Sequence, residues 1–220
     1  MLAFPLSKSQ RAIAQYSVLP IMLLTIGLGW KYPLFGVSVP IVMFAGAIVS
    51  LFRGRFLCGH FCPRGAFFDR VMPRWSQKTE IPAWMRDIRV RWGLFAALMG
   101  LTIFRLSQQP FSIASWGHIF WQLCVMTTVI GVILAVIFHP RTWCAFCPIG
   151  TLQNALGGAK QPIRIDAAAC RSCRLCEKKC PLALAIVSYK DAGKIENRDC
   201  LKCAECVHAC PTRALSFESC

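Results

Sequence analysis

The sequence predicts an α-helical membrane protein with four transmembrane helices, arranged as two tandem hairpins, followed by a small α+β domain. Three observations predict this fold class. Of the 220 residues, 55% are hydrophobic and only 16% are charged, whereas soluble domains carry about 25% charged residues. Four apolar runs are each long enough to cross a bilayer. Residues 170–210 instead carry eight closely spaced cysteines.

The four apolar runs extend over residues 12–29, 36–52, 92–109 and 118–139. A basic linker over residues 64–91 separates the two hairpins. It carries apolar side chains such as Trp75 and Trp84, so we expect it to lie along the lipid headgroups. We place the transmembrane domain at residues 1–160 and the cysteine-rich domain at 161–220, with a glycine hinge at 156–159.

The C-terminal domain contains the same cysteine pattern twice. The first copy reads Cys170-x2-Cys173-x2-Cys176-x3-Cys180-Pro181, and the second reads Cys200-x2-Cys203-x2-Cys206-x3-Cys210-Pro211. In bacterial ferredoxins with this pattern, the fourth cysteine of each copy ligates the other of two 4Fe–4S clusters. We therefore expect one cluster on Cys170, Cys173, Cys176 and Cys210, and another on Cys200, Cys203, Cys206 and Cys180. A zinc ribbon or a disulfide framework fits the pattern less well.

The fold expected for residues 161–217 is that of an α+β bacterial two-cluster ferredoxin domain. Residues 163–165 and 214–217 are predicted to be strands. Residues 185–189 and Ile195 are predicted to form a hairpin around a turn at 191–193. Pro181 and Pro211 are predicted to begin short helices.

A second type of cysteine motif follows the second and fourth apolar runs. Arg55-x2-Cys58-x3-Cys62-Pro63-x-Gly65 corresponds to Arg141-x2-Cys144-x2-Cys147-Pro148-x-Gly150, which indicates an internal repeat. A repeat axis along the membrane normal would bring the two pairs together. Four thiolates are what one cubane requires, so we expect a third 4Fe–4S cluster on Cys58, Cys62, Cys144 and Cys147.

The surroundings of this second motif leave alternatives open. Arg55, Arg64 and Arg141 would offset the negative charge of a cluster, and the proline after each second cysteine is expected to start a helix. Each pair could instead be a redox-active dithiol, or could bind copper or another soft metal. Cys124 is expected to be a small buried hydrophobe, and Cys220 is assigned no role.

The charge distribution predicts the orientation. The formal net charge is +15, but the basic residues lie between apolar runs rather than along one exposed stripe, which does not favour nucleic-acid binding. The linker, both termini and all paired cysteines fall on the positive side. The positive-inside rule places that side in the cytoplasm, at a bacterial inner membrane. A reducing compartment also suits metal-type cysteine spacing.

The layout as a whole resembles the NapH/MauN-type membrane polyferredoxins, the family of 4Fe–4S quinol dehydrogenase membrane subunits. A related layout occurs in the C-terminal part of NosR-type proteins and in CcoG-type proteins. The resemblance implies a membrane-motif role for Cys58, Cys62, Cys144 and Cys147 and a ferredoxin role for the other eight cysteines. It implies electron transfer between the quinone pool, cytoplasmic clusters and partner redox proteins. The second membrane motif departs from the family pattern because it reads Cys-x2-Cys instead of Cys-x3-Cys.

We therefore expect a membrane-bound electron-transfer subunit of an oxidoreductase, without an acid–base or nucleophilic active site of its own. Its partners would be other redox subunits or an acidic soluble protein of the ferredoxin type. A quinone could bind near Trp116, His118 and Trp121, although an aromatic belt at the membrane surface explains these residues as well. Two alternatives stay open, namely a factor that reduces copper during assembly of a respiratory oxidase and a structural anchor of a larger oxidoreductase.

Overall fold

A computed structural model describes residues 7–77, 79–108 and 112–217 of the chain. Lys78 of the basic linker, Gln109 at the end of the third apolar run, and Cys220 lie outside these ranges. In the first repeat, the helices are α1 Lys8–Leu28, α2 Leu34–Arg53, α3 Phe56–His60 and α4 Pro63–Arg70. After two 3-10 turns at Met72–Arg74 and Ala83–Arg86, the second repeat has α5 Ile88–Ser107, α6 Ile113–Ile137, α7 Thr142–Phe146 and α8 Pro148–Gly157.

Within the described residues, four helices are long and apolar enough to cross a membrane, and they are α1, α2, α5 and α6. The shortest has 20 residues and spans about 30 Å at 1.5 Å per residue, which matches a bilayer core. Large apolar side chains on their outer faces, such as Phe44, Phe52 and Ile103, are exposed, as expected for a surface covered by lipid. The four predicted spans are therefore confirmed, with ends shifted by one to five residues.

Local sequence signals explain where several helices begin. Ser7 caps α1: its hydroxyl accepts from the Gln10 amide at 3.2 Å, and its own amide donates to the Gln10 side chain at 2.9 Å. Pro63 and Pro148 occupy the first positions of α4 and α8, where a missing amide hydrogen costs nothing. The prediction that a helix starts after each membrane Cys-Pro motif is thus confirmed.

Helices α2 and α6, one from each repeat, approach each other closely at two glycines. A Cβ atom on Gly36 of α2 would overlap the carbonyl oxygen of Gly117 in α6, and one on Gly117 would overlap that of Pro33. Such small-residue contacts let helix backbones pack closely in a membrane. Helix α2 packs more extensively against α6 than against its neighbour α1. The two repeats therefore meet along α2 and α6.

The C-terminal module is built on a two-stranded antiparallel sheet of β1 Ile163–Ile165 and β2 Leu215–Phe217. It also contains α9 Leu175–Lys178, a 3-10 turn at Val187–Tyr189, and α10 Glu205–Ala209. The predicted strand at 185–189 is wrong, because most of that segment forms the 3-10 turn. Lys194 still makes an isolated bridge to Arg164 of β1.

Two further predictions about local structure are also wrong. Pro181 and Pro211 lie in turns instead of starting helices; the short helices α9 and α10 precede them. The segment 156–159 is not a free hinge. A Cβ atom on Gly157 would overlap the Ser50 carbonyl oxygen, and one on Gly158 would lie 2.6 Å from the Arg198 carbonyl oxygen. Close packing, not flexibility, explains these two glycines.

The linker contributes to the core that joins the two parts of the chain. Ile81 and Met85 are buried in one hydrophobic cluster with Trp143 of α7 and Ile163 of the C-terminal module. These two side chains therefore pack inside the protein instead of facing the lipid headgroups. Trp84 of the same segment is exposed, so only part of the linker surface is free for lipid contact.

Candidate functional site

The eight cysteines of the C-terminal module surround two small cavities of about 20 Å³ each. The first, named the outer site, is lined by Cys170, Cys173, Cys176 and Cys210. The second, named the inner site, is lined by Cys180, Cys200, Cys203 and Cys206. The structure therefore brings together the same two sets of four that the sequence pattern predicts, each with its Pro-linked cysteine from the other copy.

The two cysteine loops share an unusual backbone. Ser172 and Arg174 in the outer loop have φ of 55° and 58°, and Lys202 and Ala204 in the inner loop have φ of 53° and 62°. Residues other than glycine rarely adopt positive φ because the Cβ atom is crowded there. The residues before and after the middle cysteine both do so in each loop. This alternation curls the loop so that all three of its cysteines line one cavity.

The two sites differ in their exposure. Cys200, Cys203 and Cys206 of the inner site are all buried, whereas Cys173 of the outer site is exposed. The inner loop is covered by the transmembrane half of the chain, since a Cβ atom on Gly59 would lie 2.5 Å from the Leu201 carbonyl oxygen. Gly59 immediately follows Cys58, so the inner site directly adjoins the membrane motif.

The four cysteines of the membrane motifs also surround one cavity, of about 160 Å³. This membrane-edge site is lined by Cys58, Cys62, Cys144 and Cys147, which lie where α3, α4, α7 and α8 meet. The cavity continues into the helix bundle, between side chains such as Met22, Val42, Leu98 and Leu123. A single chamber thus joins the cysteines to the apolar interior of the membrane domain.

In each of the three sets, the four cysteines line a cavity, and their sulfur atoms are not close enough together to bind one metal ion. Within residues 7–77, 79–108 and 112–217, no three His, Cys, Asp or Glu side chains are grouped closely enough to hold a single metal ion. A cubane is larger, because each of its four irons takes one thiolate at a separate corner. Four cysteines around a cavity therefore suit a cubane better than a mononuclear zinc site, in which all ligands meet at one ion.

Buried arginines surround the membrane-edge site. Arg55 and Arg141 are 0% and 1% exposed. Arg55 pairs with Asp199 at 2.8 Å, and Arg141 pairs with Asp69 at 2.7 Å. Although burial acts to raise the pKa of Asp69, its ion pairs with Arg141 and Arg11 hold that pKa below the usual value. The carboxylate therefore stays ionised, and both arginines keep fixed positions beside the cysteines.

Arg64 differs from these two arginines in its partners. Its guanidinium lines the cavity and donates to the Cys124 carbonyl oxygen at 3.2 Å and sulfur at 3.4 Å. In the described part of the chain, no carboxylate lies within ion-pair distance of it. A half-buried cation without a carboxylate partner is stabilised by a nearby anion. Four thiolates around a cubane carry net negative charge, so the residues present fit a cluster here.

Cys124 was missed by the sequence analysis, which expected only a small hydrophobe. It is buried as expected, but it lines the same cavity as the four motif cysteines and accepts from Arg64. Gln153 was also missed, and its side-chain oxygen lies 3.0 Å from the Cys58 sulfur. Neither residue belongs to a motif, so nothing in the sequence pattern indicates its place beside the site.

The environment of the membrane motif does not favour a redox-active dithiol. Burial raises the pKa of the Cys58 thiol to about 12 and that of Cys144 to about 11. Thiols that exchange disulfides have lowered pKa values, and these two cysteines do not, although both are half-buried. Cluster ligands need no such activation, because the bound metal itself drives their deprotonation.

A second group of ion pairs fixes the C-terminal module on the transmembrane half. Arg11 of α1 donates to the Gly59 carbonyl oxygen at 3.1 Å and to Asp69 at 2.6 Å, and it also pairs with Glu205 in the inner loop. Asp199 accepts from both Arg55 and Arg91 at 2.8 Å. These contacts hold the inner site against the membrane-edge site.

The aromatic residues considered for a quinone lie elsewhere. The His118 and Trp121 rings are 6.4 Å apart, and the Trp121 ring nitrogen donates to the Ile26 carbonyl oxygen at 3.3 Å. Trp30 stacks edge-on with Trp121 at 6.2 Å. None of these side chains lines the cavity that joins the cysteines. Their clustering suits the aromatic belt that the sequence also allowed.

Two protein-family models match the chain. A 4Fe–4S binding domain model matches residues 35–80 and 121–165, which contain the two membrane Cys-Pro motifs. A 4Fe–4S dicluster domain model matches residues 162–211. The chain thus contains 4Fe–4S ferredoxin-type domains, and the matches support 4Fe–4S clusters. With the four apolar helices, they describe an iron–sulfur protein of the membrane.

Similar proteins are distant relatives. Protein MJ0749 of Methanocaldococcus jannaschii is 25% identical, over 78% of this chain and 68% of its own length. The Escherichia coli protein YccM, named for electron transport, is 24% identical over 82% of this chain and 56% of its own. Protein NirI of Paracoccus denitrificans is 23% identical over 82% of this chain and 28% of its own. No solved structure matches the chain.

Proposed function

We propose that this chain passes electrons between a donor in the membrane, such as the quinone pool, and redox partners in the cytoplasm through three 4Fe–4S clusters. The observation that carries the proposal is that the three cysteine sites adjoin one another in order, from the membrane-edge site to the inner site and then to the outer site. Gly59, beside Cys58, touches Leu201 of the inner loop. The matches to 4Fe–4S domain models and the similarity to a protein named for electron transport support iron–sulfur electron transfer.

The inner and outer sites are coupled through two short helices. Cys176 of the outer site and Cys180 of the inner site stand at the two ends of α9, and Cys206 and Cys210 are related in the same way by α10. In each case the two cysteines are four residues apart in the chain, so a very short segment connects the inner site to the outer site. Each cluster, when bound, takes up and releases one electron at a potential that its surroundings set.

The third cluster is assigned to the membrane-edge site. Its ligands would be Cys58, Cys62, Cys144 and Cys147, and Arg64 would supply the nearest unpaired positive charge. Support comes from the four-cysteine cavity, from the half-buried Arg64 guanidinium, and from the 4Fe–4S domain model that matches both motifs. Asp69 is shared by Arg141 and Arg11, and Asp199 is shared by Arg55 and Arg91. Arg64 has no carboxylate partner among the described residues, so its charge is available to the cluster.

The proposed donor reaches the membrane-edge site through the bundle. The cavity extends from the cysteines between α1, α2, α5 and α6, where its lining is mainly apolar, with hydroxyl groups of Thr25, Ser38 and Thr127. An apolar chamber with a few polar groups is what an amphiphilic ring such as a quinol requires. The basic residues flanking the spans support a cytoplasmic position for the clusters, at an inner membrane.

A second candidate function is favoured by one observation. Met22, Met43 and Met99 line the cavity together with Cys124 and the four motif cysteines. Thioether and thiolate sulfurs are the ligands that Cu(I) prefers. A copper-reducing assembly factor would bind copper in this cavity, and binding would be lost in the Met43→Leu/Met99→Leu variant while the iron content stayed the same.

Reduction of the clusters by quinol in native membranes tests the proposed function. Membranes that contain the chain are treated with a reduced short-chain quinone, and the clusters are followed by EPR at low temperature. We expect signals from reduced clusters in the wild type. In the Cys58→Ser/Cys144→Ser variant, reduction of the remaining two clusters should slow by at least about tenfold, because the first carrier is missing. Equal reduction rates in both proteins would contradict the proposed route.

A further inference from the structure

The two cysteine loops of the C-terminal module differ in charge although their backbones are alike. The outer loop and α9 carry four basic side chains, Arg171, Arg174, Lys178 and Lys179. The corresponding positions in the inner loop and α10 hold Leu201, Ala204, His208 and Ala209. Residues 170–180 therefore carry a net charge of +3, with Glu177 as their one acidic residue, whereas Lys202 and Glu205 cancel in residues 200–210.

The four cations are all exposed, and so is Leu175 between them, at 42% of its surface. The position that corresponds to Leu175 in the inner loop is Glu205, which pairs with Arg11 of the membrane half. The inner loop therefore has residues suited to contact within the chain. The outer loop has an apolar side chain surrounded by cations, next to the exposed Cys173.

The acidic side chains near the outer loop are engaged in local hydrogen bonds. Glu177 accepts from the Val187 amide at 2.9 Å, and Asp166 accepts from the Ala168 amide at 2.9 Å. No ion pair between these carboxylates and the four cations is present among the described residues. The positive charge of the outer loop is thus available to a partner.

We propose that the basic face, formed by Arg171, Arg174, Leu175, Lys178 and Lys179, binds an acidic soluble redox protein that exchanges electrons with the outer site. The inference rests on the proposed function and adds the place of contact and the charge of the partner. Opposite charges steer such encounters and raise association rates by factors of about 10 to 1,000. Redox complexes are also small, with interfaces below about 1,200 Å², so one apolar residue with a cationic rim is sufficient.

A lipid surface is the less suitable occupant. The inner loop, not the outer one, packs against the membrane half, through Gly59 and Arg11. Arg86 of the linker also holds this side of the module, because it donates to the Leu182 carbonyl oxygen at 2.8 Å. The basic face lies on the other loop of the module. It has one exposed apolar residue, whereas a helix that lies on a membrane presents a continuous apolar stripe.

The test measures electron transfer from the full-length protein in nanodiscs of neutral lipid. The clusters are reduced with dithionite, the excess is removed, and cytochrome b5 is added as an acidic acceptor, so that each reduced cluster gives one electron to one ferric haem. Basic cytochrome c serves as the opposite-charge probe. We expect the rate with cytochrome b5 to fall about tenfold as salt rises from about 20 to 500 mM, and the rate with cytochrome c not to fall.

Matched variants locate the contact. Lys178→Gln/Lys179→Gln removes two charges from the basic face, and Lys194→Gln/Arg198→Gln removes two exposed charges from elsewhere in the module. The first variant should slow reduction of cytochrome b5 at low salt about threefold to tenfold and weaken its salt dependence. The second should change the rate less than about 1.5-fold. Iron content and EPR signals of both variants should equal those of the wild type.

Equal rates for the wild type and both variants would overturn the proposal, as would equal slowing by the two variants, which indicates net charge alone. Loss of binding to anionic phospholipid vesicles in Lys178→Gln/Lys179→Gln, with an unchanged rate for cytochrome b5, would assign the face to lipid and also overturn it. Because dithionite supplies the electrons, the result is independent of the donor side. Failure of quinol to reduce the clusters would refute the proposed function while leaving this contact in place.

Discussion

Arg55 and Arg141 each bind the backbone of the other's cysteine motif. Arg55 donates to the Cys144 carbonyl oxygen at 2.8 Å, and Arg141 donates to the Cys58 carbonyl oxygen at 3.0 Å. Each arginine lies three residues before the first cysteine of its own motif. The exchange joins the two repeats at the cysteines, so that the membrane-edge site requires both repeats to be in place.

Replacing either arginine with lysine should remove the cluster proposed for the membrane-edge site. Lysine keeps the positive charge but lacks the planar guanidinium, whose several N–H groups donate to a carboxylate and a carbonyl oxygen at the same time. We expect Arg55→Lys and Arg141→Lys to lose about four irons per chain, the content of one cubane. Iron and sulfide analysis of purified protein measures this loss. Arg74→Lys, at an exposed position, is the control, and an equal loss there would contradict the explanation.

The glycine after each Cys-Pro pair provides an independent test of the same contacts. A Cβ atom on Gly65 would lie 2.7 Å from Arg141 Nη1, and one on Gly150 would lie 2.5 Å from Arg55 Nη2. We expect Gly65→Ala and Gly150→Ala to displace these arginines at a cost of about 1–3 kcal/mol, and to lower the occupancy of the membrane-edge cluster. Thermal unfolding in detergent and EPR check both effects.

Two other glycines serve as controls for the alanine substitutions. A Cβ atom on Gly93 or Gly100 in α5 would meet no atom of the described residues within 4 Å. Gly93→Ala and Gly100→Ala should therefore leave both the unfolding temperature and the EPR signals close to those of the wild type. The explanation fails if these variants lose the cluster as readily as Gly65→Ala.

The contact between the membrane-edge and inner sites should depend on Gly59. Alanine there would place its Cβ atom 2.5 Å from the Leu201 carbonyl oxygen, so the inner loop must move away. We expect Gly59→Ala to keep all clusters but to slow quinol-dependent reduction of the C-terminal clusters severalfold, because electron transfer weakens with distance. Stopped-flow absorbance measures the rate. An unchanged rate would show that this contact is not on the route.

Asp199 should be the most important carboxylate at the boundary between the two halves. It accepts from Arg55, Arg91 and Asn154. Asp199→Asn leaves two buried cations without their partner, which costs about 3–5 kcal/mol. Glu196→Gln removes only an exposed pair with Lys194 at 3.6 Å, and such pairs contribute up to about 1 kcal/mol. A similar change in the free energy of unfolding for both variants would contradict this ranking.

The sequence predicted the parts of this molecule that depend on local pattern. The four apolar runs became the four long helices, and Pro63 and Pro148 begin α4 and α8. The two cysteine loops were also identified, because their spacing is set by the geometry of a cubane. The strand at 185–189 was wrong, because a short apolar segment there forms a 3-10 turn.

The remaining features arise from contacts between residues far apart in the chain. Nothing in the sequence around Arg11 predicts its contacts with Gly59, Asp69 and Glu205. The repeated glycines at 65 and 150 are visible in the sequence. The reason for them is visible only in the structure, where each glycine leaves space for the arginine of the other repeat. Cys124 lies in an ordinary apolar run, and only the packing of α6 against α4 brings it to Arg64.

Twelve cysteines are proposed to hold three clusters, and the iron content of the protein tests this proposal most directly. Iron, sulfide and EPR spin are measured on anaerobically purified wild type and on Cys58→Ser/Cys144→Ser, with Cys124→Ser as a control that leaves all twelve motif cysteines in place. At four irons per cubane, we predict about twelve irons in the wild type and in Cys124→Ser, and about eight in the double variant. About eight irons in all three proteins would contradict a cluster at the membrane edge.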